Sequence, residues 1–427
     1  MRLAPGATQP PKAGTAAGWQ WGRVMQAPHR LGFLLAMGVL GASAAWWALV
    51  QAGRLGLAPS LPMALSPTLT HAAVMTLGFI PLFFGGFLFT AGPRWLGVEG
   101  PTARQVLPAL ALQAGGWLLW LAGAHLHLSL AAAGAGLAGC GLGLATWRFT
   151  RLVRASPEPD QTHARVIAGA HWLGVGCTFG LAAALALDAQ AVARLLVLTA
   201  LWGFVLVVYL SVAHRMIPFF TTSALPMLHA WRPGWVLALM IGAAGFEAGA
   251  VWVDAAWGDA PAWRLLRGTL EIATGGVLVA LAFAWHLVKS LRIRLLAMLH
   301  LGFVWLGLAL LLGGATQWLA ALTGQIVLPL AALHALTMGC LASLMLAMVT
   351  RVSCGHSGRP LVADNLMWGL FGALQLATLL RIAGAAQGSH AQAVLGVTAT
   401  LWAAIMLTWG TRLANWYGRP RADGRPG

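Results

Sequence analysis

The chain has 427 residues, 59% of them hydrophobic and 8% charged, with a formal net charge of +16 and a mean hydropathy of +0.77. So apolar a composition excludes a soluble globular domain, and the apolar runs are too long for barrel strands, which leaves an all-α polytopic membrane protein. The positive charge lies in short loops and tails rather than on one basic face, which argues against nucleic acid and for a membrane as its partner.

In chain order, residues 1–28 are rich in Pro, Gly and Ala with scattered positive charge and read as a disordered basic tail. The first apolar run follows this stretch and is long enough to span, so it reads as a transmembrane helix rather than a cleaved signal. Twelve apolar segments begin near Leu31, Thr68, Gln105, Leu128, Ala164, Ala193, Gly234, Ala262, Leu295, Ile326, Leu366 and His390. They define a membrane domain over 29–411, followed by a second basic tail over 412–427. The 22 tryptophans suit anchoring at the two interfaces.

Charge predicts the orientation. With the N-terminus cytoplasmic, 21 of the 26 Lys and Arg fall in inside segments, and only Arg54, Arg194, Arg264, Arg267 and Arg381 fall outside. That asymmetry supports twelve helices with both termini cytoplasmic. A weak repeat recurs every four helices. Helix one carries His29-Arg-Leu-Gly-Phe, helix five Arg165 and His171-Trp-Leu-Gly, and helix nine Arg294 and His300-Leu-Gly-Phe. The fold expected is three pseudo-repeated groups of four helices.

Two stretches on helices two and ten resemble copies of one device. They are Pro67-Thr-Leu-Thr-His71-Ala-Ala-Val-Met75 and Pro329-Leu-Ala-Ala-Leu-His334-Ala-Leu-Thr-Met338. Proline suits the first turn of a helix, where its missing N–H would be unpaired anyway. His71 lies four residues past its proline and His334 five, so the two imidazoles are expected at matched depth in the outer half of the membrane. Two imidazoles so placed are what the axial positions of a haem require. Ordinary helix-packing histidines bonded to carbonyls are the alternative. Met75 and Met338 lie four residues on, able to pack on a porphyrin or act as soft copper ligands, although core packing suits them as well.

A second group, His163, His171, His214, His286, His300 and His356, lies toward the inside. His171, His214, His300 and His356 in particular are candidate ligands of a second metal, although their spacings are dispersed. Three helix ends rich in glycine or proline carry Arg94, Arg215, Arg351 and Arg359. A guanidinium suits an anionic group such as a haem propionate, but positive-inside anchoring explains these residues too. From the inner face they would not reach a haem held by outer-half histidines. Glu247 and Glu271 lie within helices seven and eight, as a proton path or as neutral acids joining the two helices.

These residues together resemble the NnrS family. The likeness rests on His71-x-x-x-Met75 leading to Gly86-Phe-Leu-Phe-Thr-Ala-Gly-Pro-Arg-Trp95-Leu-Gly97, and on Arg215-Met-Ile-Pro-Phe-Phe-Thr221. It rests also on His334-Ala-Leu-Thr-Met-Gly339 running to Thr350-Arg351-x-x-x-Gly355-His356-x-Gly358-Arg359-Pro-Leu361. The resemblance implies a twelve-helix inner-membrane haem and copper protein tied to the bacterial response to nitric oxide. The family's first motif is His-x-His-Glu-Met, and Ala73 and Val74 stand here where it has its second histidine and glutamate. Copper is therefore expected only if it can do without those two side chains. The arrangement is also similar to the catalytic subunit of haem–copper oxidases, with low-spin haem ligands on helices two and ten. No histidine lies between Arg194 and Phe204 on helix six, so oxidase activity does not follow.

The expectation is thus a haem b protein with His71 and His334 as axial pair, acting with nitric oxide and a redox partner, and with no catalytic turnover assigned. The rival expectation is a cofactor-free transporter or scaffold whose histidines and Glu247/Glu271 form an ion path.

Overall fold

The computed structural model describes residues 18–229, 231–386 and 388–425, and among these there is no strand. Most of the expected N-terminal tail, residues 1–17, lies outside the described residues. Twelve helices are long and apolar enough to cross a membrane. They are α1 (Pro28–Arg54), α2 (Pro67–Leu96), α3 (Ala103–Leu126), α4 (Leu128–Ala155), α5 (Thr162–Ala186), α6 (Gln190–Ala224), α7 (Gly234–Trp257), α8 (Pro261–Ala284), α9 (Arg294–Thr323), α10 (Ala331–His356), α11 (Asn365–Ala383) and α12 (Ala391–Tyr417).

The starts agree with the sequence reading to within a few residues, except at α10, which begins at Ala331 rather than near Ile326. Leu328 and Leu330 on either side of Pro329 have φ of 51° and 63°. Left-handed backbone cannot continue a right-handed helix, so the apolar run Ile326–Leu330 is a turn, despite its composition. Pro67 does stand in the first turn of α2, whereas Pro329 precedes α10. His71 is nonetheless the fifth residue of α2 and His334 the fourth of α10, so both lie in the first turns of their helices.

The described residues before the first membrane helix pack onto the end of the last one. Residues 18–28 include a short helix, Trp21–Val24, whose Val24 is fully buried. Gln20 N–H donates to the Gly418 carbonyl at 2.9 Å and Trp19 Nε1–H to the Ala414 carbonyl at 3.1 Å, tying this segment to the end of α12. Arg412 belongs to α12, not to a tail.

Successive helices pack as neighbours, and α12 packs against α1, so the bundle closes on itself. The surface away from the core is rich in exposed Leu, Trp, Phe and Val, as lipid contact requires. Between helices in lipid there is no hydrophobic drive, so close contact relies on small residues. At α8 and α9, a Cβ on Gly268 would lie 2.9 Å from the Gly314 carbonyl oxygen, and one on Gly275 would lie 2.7 Å from that of Gly307. Only glycine lets these two backbones meet.

The most deeply buried of the twelve are α2 and α10. Together with α6, they share a feature that no other described helix has, a segment of wider π-helix. These segments are Val74–Gly78, Leu201–Leu206 and Ala335–Ala342, so they recur every four helices, in step with the sequence repeat. A π segment is rare and poorly packed, and it tends to persist at functional sites.

Asp364 joins the start of α11 to α12. Its Oδ1 accepts from the Met367 N–H at 3.0 Å, and its carboxylate pairs with Arg412. Arg412, and then the Met367 N–H, hold this carboxyl below the usual carboxylate range. Asp364→Ala should therefore lower stability by about 1 kcal/mol, as loss of a helix cap does. The contribution is complete above the unfolded carboxylate pKa of about 4 and is lost as pH falls through the lower folded value. Thermal melts of the two proteins in detergent should be separated at neutral pH and converge in acid.

Candidate functional site

At the end of the bundle where α1 and α11 finish and α2, α6, α10 and α12 begin, the helices surround a cavity. It measures about 350 Å³ for the centre of a water-sized sphere, within about 1670 Å³ of atom-free space including its mouth. Helix α2 contributes His71, Met75 and Phe79, α10 contributes His334, Thr337 and Met338, and α6 contributes Arg194, Leu198 and Tyr209. The structure thus brings together His71, His334, Met75 and Met338 from chain segments far apart in sequence.

The two imidazoles are held differently. His334 Nδ1 lies 2.9 Å from the Leu330 carbonyl oxygen. A carbonyl can only accept, so Nδ1 carries the proton and Nε2 keeps a free lone pair. This is the second-contact arrangement that fixes the tautomer of a ligating histidine. Leu330 supplies that carbonyl from its left-handed turn, so the irregular start of α10 helps to orient His334. The His71 ring instead stacks on Trp47, with centroids 4.1 Å apart and planes at 24°. Its Nδ1 is buried with no hydrogen-bond partner.

The mouth of the cavity is cationic. Arg54, Arg194 and Arg381 line it, and no Asp or Glu does. Arg54 lies over the Trp47 ring at 5.4 Å, on the same tryptophan that stacks on His71. Of the nine buried side-chain N or O atoms without a partner among the described residues, three belong to this lining: His71 Nδ1, Arg381 Nη1 and Trp402 Nε1. Buried polar atoms are nearly always paired, so a cavity with three orphans has capacity for a polar ligand. Sequence reasoning missed these arginines as site residues. The available signal was that Arg54, Arg194 and Arg381 are three of only five basic residues outside the positive-inside pattern.

The inner histidines do not gather. His163 Nε2 lies 3.0 Å from His214 Nδ1, while His214 Nε2–H donates to the Pro233 carbonyl at 3.2 Å. His171 Nδ1–H donates to the Ile167 carbonyl at 2.8 Å, among Phe84, Phe149 and Phe204. His300 Nε2 bonds the Thr221 hydroxyl at 3.0 Å, and His356 packs on His29 with centroids 4.3 Å apart. Among the described residues no three His, Cys, Asp or Glu are placed to hold a metal ion, and these histidines lie singly or in pairs.

The inner arginines are largely accounted for by aromatic rings. Arg215 lies over Trp95 at 5.0 Å, Arg351 over Phe220 at 3.9 Å and Arg359 over Trp416 at 4.4 Å, while Arg94 is exposed. Cation–π contact gives each of these three charges a local partner. None of the four lines the histidine cavity.

Glu247 and Glu271 meet across α7 and α8 on Arg267, which also pairs with Asp254. Removing the cation would leave buried carboxylates uncompensated. Arg267→Met should cost about 3–5 kcal/mol, the usual penalty for breaking a buried pair from one side. The check is the melting temperature and the yield of monodisperse protein in detergent, with Arg264→Met, whose carboxylate partner Asp259 is fully exposed, as the mild comparison.

The positions at which the family resemblance departs, Ala73 and Val74, are fully buried and do not line the cavity. No curated protein matches the chain. A family model described as NnrS protein matches residues 23–421. The match takes in all twelve helices and both histidine-bearing stretches, and the chain belongs to the NnrS family.

Proposed function

We propose that this protein is an inner-membrane haem b protein of the nitric-oxide response, with His71 and His334 as the axial pair. One observation carries the reading: two imidazoles from α2 and α10 line one largely apolar cavity whose mouth has three arginines and no carboxylate. A haem offers the matching chemistry, a flat apolar ring with two carboxylates and an iron that takes two nitrogen ligands. Bound there, it would supply one-electron exchange and affinity for diatomic gases.

The residues of the chain divide the remaining work. Leu330 fixes the His334 tautomer through its carbonyl. Trp47 limits rotation of the His71 ring by stacking. Met75, Phe79 and Met338 make an apolar wall that keeps water from the ligating nitrogens. Arg54, Arg194 and Arg381 are suited to hold the two propionates, each as a charge-assisted pair. Of the two imidazoles, His71 is held by stacking and lacks a hydrogen bond to Nδ1, so it would be the less firmly fixed of the two residues holding the haem. The site therefore suits electron transfer or gas sensing by ligand exchange more than turnover of a substrate.

The copper implied by the family resemblance has no comparable support, since Ala73 and Val74 offer no ligand atoms and face away from the cavity. The excess of basic residues in the segments on the N-terminal side favours both termini in the cytoplasm. On that orientation the mouth of the cavity faces the periplasm.

Protein purified from haem-replete cells should show a Soret band and two sharp visible bands on reduction. His71→Ala and His334→Ala should each abolish six-coordination, while His171→Ala should leave the spectrum unchanged. Arg381→Met should weaken haem retention about tenfold, equivalent to one charge-assisted hydrogen bond of about 1.4 kcal/mol. A colourless, iron-free preparation, or an unaltered spectrum in His71→Ala, would sink the assignment and favour the cofactor-free ion path.

A further inference from the structure

Between α7 and α8, one guanidinium serves three carboxylates. Arg267 donates from Nη2 to Glu247 Oε2 at 2.6 Å and from Nε to Glu271 Oε1 at 2.9 Å, and its Nη1 pairs with Asp254. Glu247 and Glu271 are 2% and 5% exposed. If every group were ionised, the cluster would hold two negative charges in excess in a medium of low dielectric, at a large cost. No neighbour removes that excess. Arg264 on α8 is engaged by Asp259 and the Gly258 carbonyl, and the residue that α9 presents to Glu271 is Gly313.

A second observation is independent of the charge count. Glu271 Oε2 is buried and has no hydrogen-bond partner. It lies against Gly313 of α9, where an added Cβ would stand 3.0 Å away, so the glycine leaves room for this oxygen. Glu247 and Glu271 are held side by side on one guanidinium, by its adjacent Nη2 and Nε donors. Two carboxylates in such contact repel unless a proton lies between them, and they then titrate as a pair. Among the described residues Glu271 Oε2 is the one oxygen of these three carboxylates that is fully buried without a partner. One oxygen can accept a proton, whereas a hard metal cation needs a cage of several.

We propose that Glu247 and Glu271 share one exchangeable proton, and that Asp254 is its route to the solvent at the cavity end of the bundle. The side chain of Asp254 is 37% exposed, and it lines a second cavity of about 360 Å³ beside the α9–α10 turn. Leu330 forms part of the wall of both cavities. The proton site therefore borders the turn whose carbonyl orients His334, but it stands whether or not that histidine binds a haem.

Infrared spectroscopy of the full chain in lipid nanodiscs tests this. At neutral pH the wild type should show the C=O stretch of a protonated carboxyl, shifted in deuterated water. The band should be lost in Glu271→Gln and in Glu247→Gln, each a neutral isostere of the protonated acid. Either variant gives the readout should the other fail to fold. Asp254→Asn should keep the band and slow its deuterium shift, and replacing potassium with sodium should leave it unmoved. A wild type without the band, or a band surviving in either Gln variant, overturns the shared proton. A band displaced by sodium makes the ligand a metal cation instead, and an unslowed shift in Asp254→Asn overturns the route.

Discussion

A polar side chain inside a bilayer has no water to fall back on, so it must find a partner within the protein. Most intramembrane histidines here do so through an acceptor that fixes their tautomer. His171 uses the Ile167 carbonyl, His214 the Pro233 carbonyl and His300 the Thr221 hydroxyl, which itself donates to Ile217. Against that background an unpartnered nitrogen carries information. His71 Nδ1, Arg381 Nη1 and Trp402 Nε1 are all orphaned and all belong to residues lining one cavity. The same constraint, applied to carboxylates, singles out Glu271 Oε2.

The five basic residues outside the positive-inside pattern divide between these two places. Arg54, Arg194 and Arg381 line the histidine cavity, and Arg264 and Arg267 pair with acids at the α7–α8 end of the bundle. Membrane insertion disfavours basic residues on that side, so those that stay there need a local reason. Their positions were legible in the sequence as exceptions. Their meeting was not, because the cavity arginines come from α1, α6 and α11, and no local pattern links helices so far apart.

Most of the fold was legible for a simple reason: spans of about 20 apolar residues separated by charged loops leave little ambiguity. The start of α10 was not, because Ile326–Leu330 is apolar enough to continue the helix, and only the left-handed Leu328 and Leu330 stop it. The joint placement of His71 and His334 was legible through their shared His-Ala-x-x-Met element, and both do line the cavity. The grouping of the other histidines was not legible, because nearness along the membrane normal says nothing of position around the bundle. For the arginines at the opposite end, anion contact and a structural role were both open in the sequence, and three of them lie over Trp95, Phe220 and Trp416.

The π segments draw these threads together. They occur in α2, α6 and α10, four helices apart, and all three helices face the same cavity. The repeat therefore supplies three similar walls, and the side chains make them different. Two walls carry an imidazole one to three residues before the π segment, His71 and His334. The third carries Leu198 in that place and Arg194 one turn earlier, toward the mouth. A guanidinium nearer the mouth adds positive charge where the cavity meets polar surroundings, and the apolar leucine keeps the interior dry. A near-symmetric scaffold thus becomes a cavity with an imidazole on each of two walls and a guanidinium on the third.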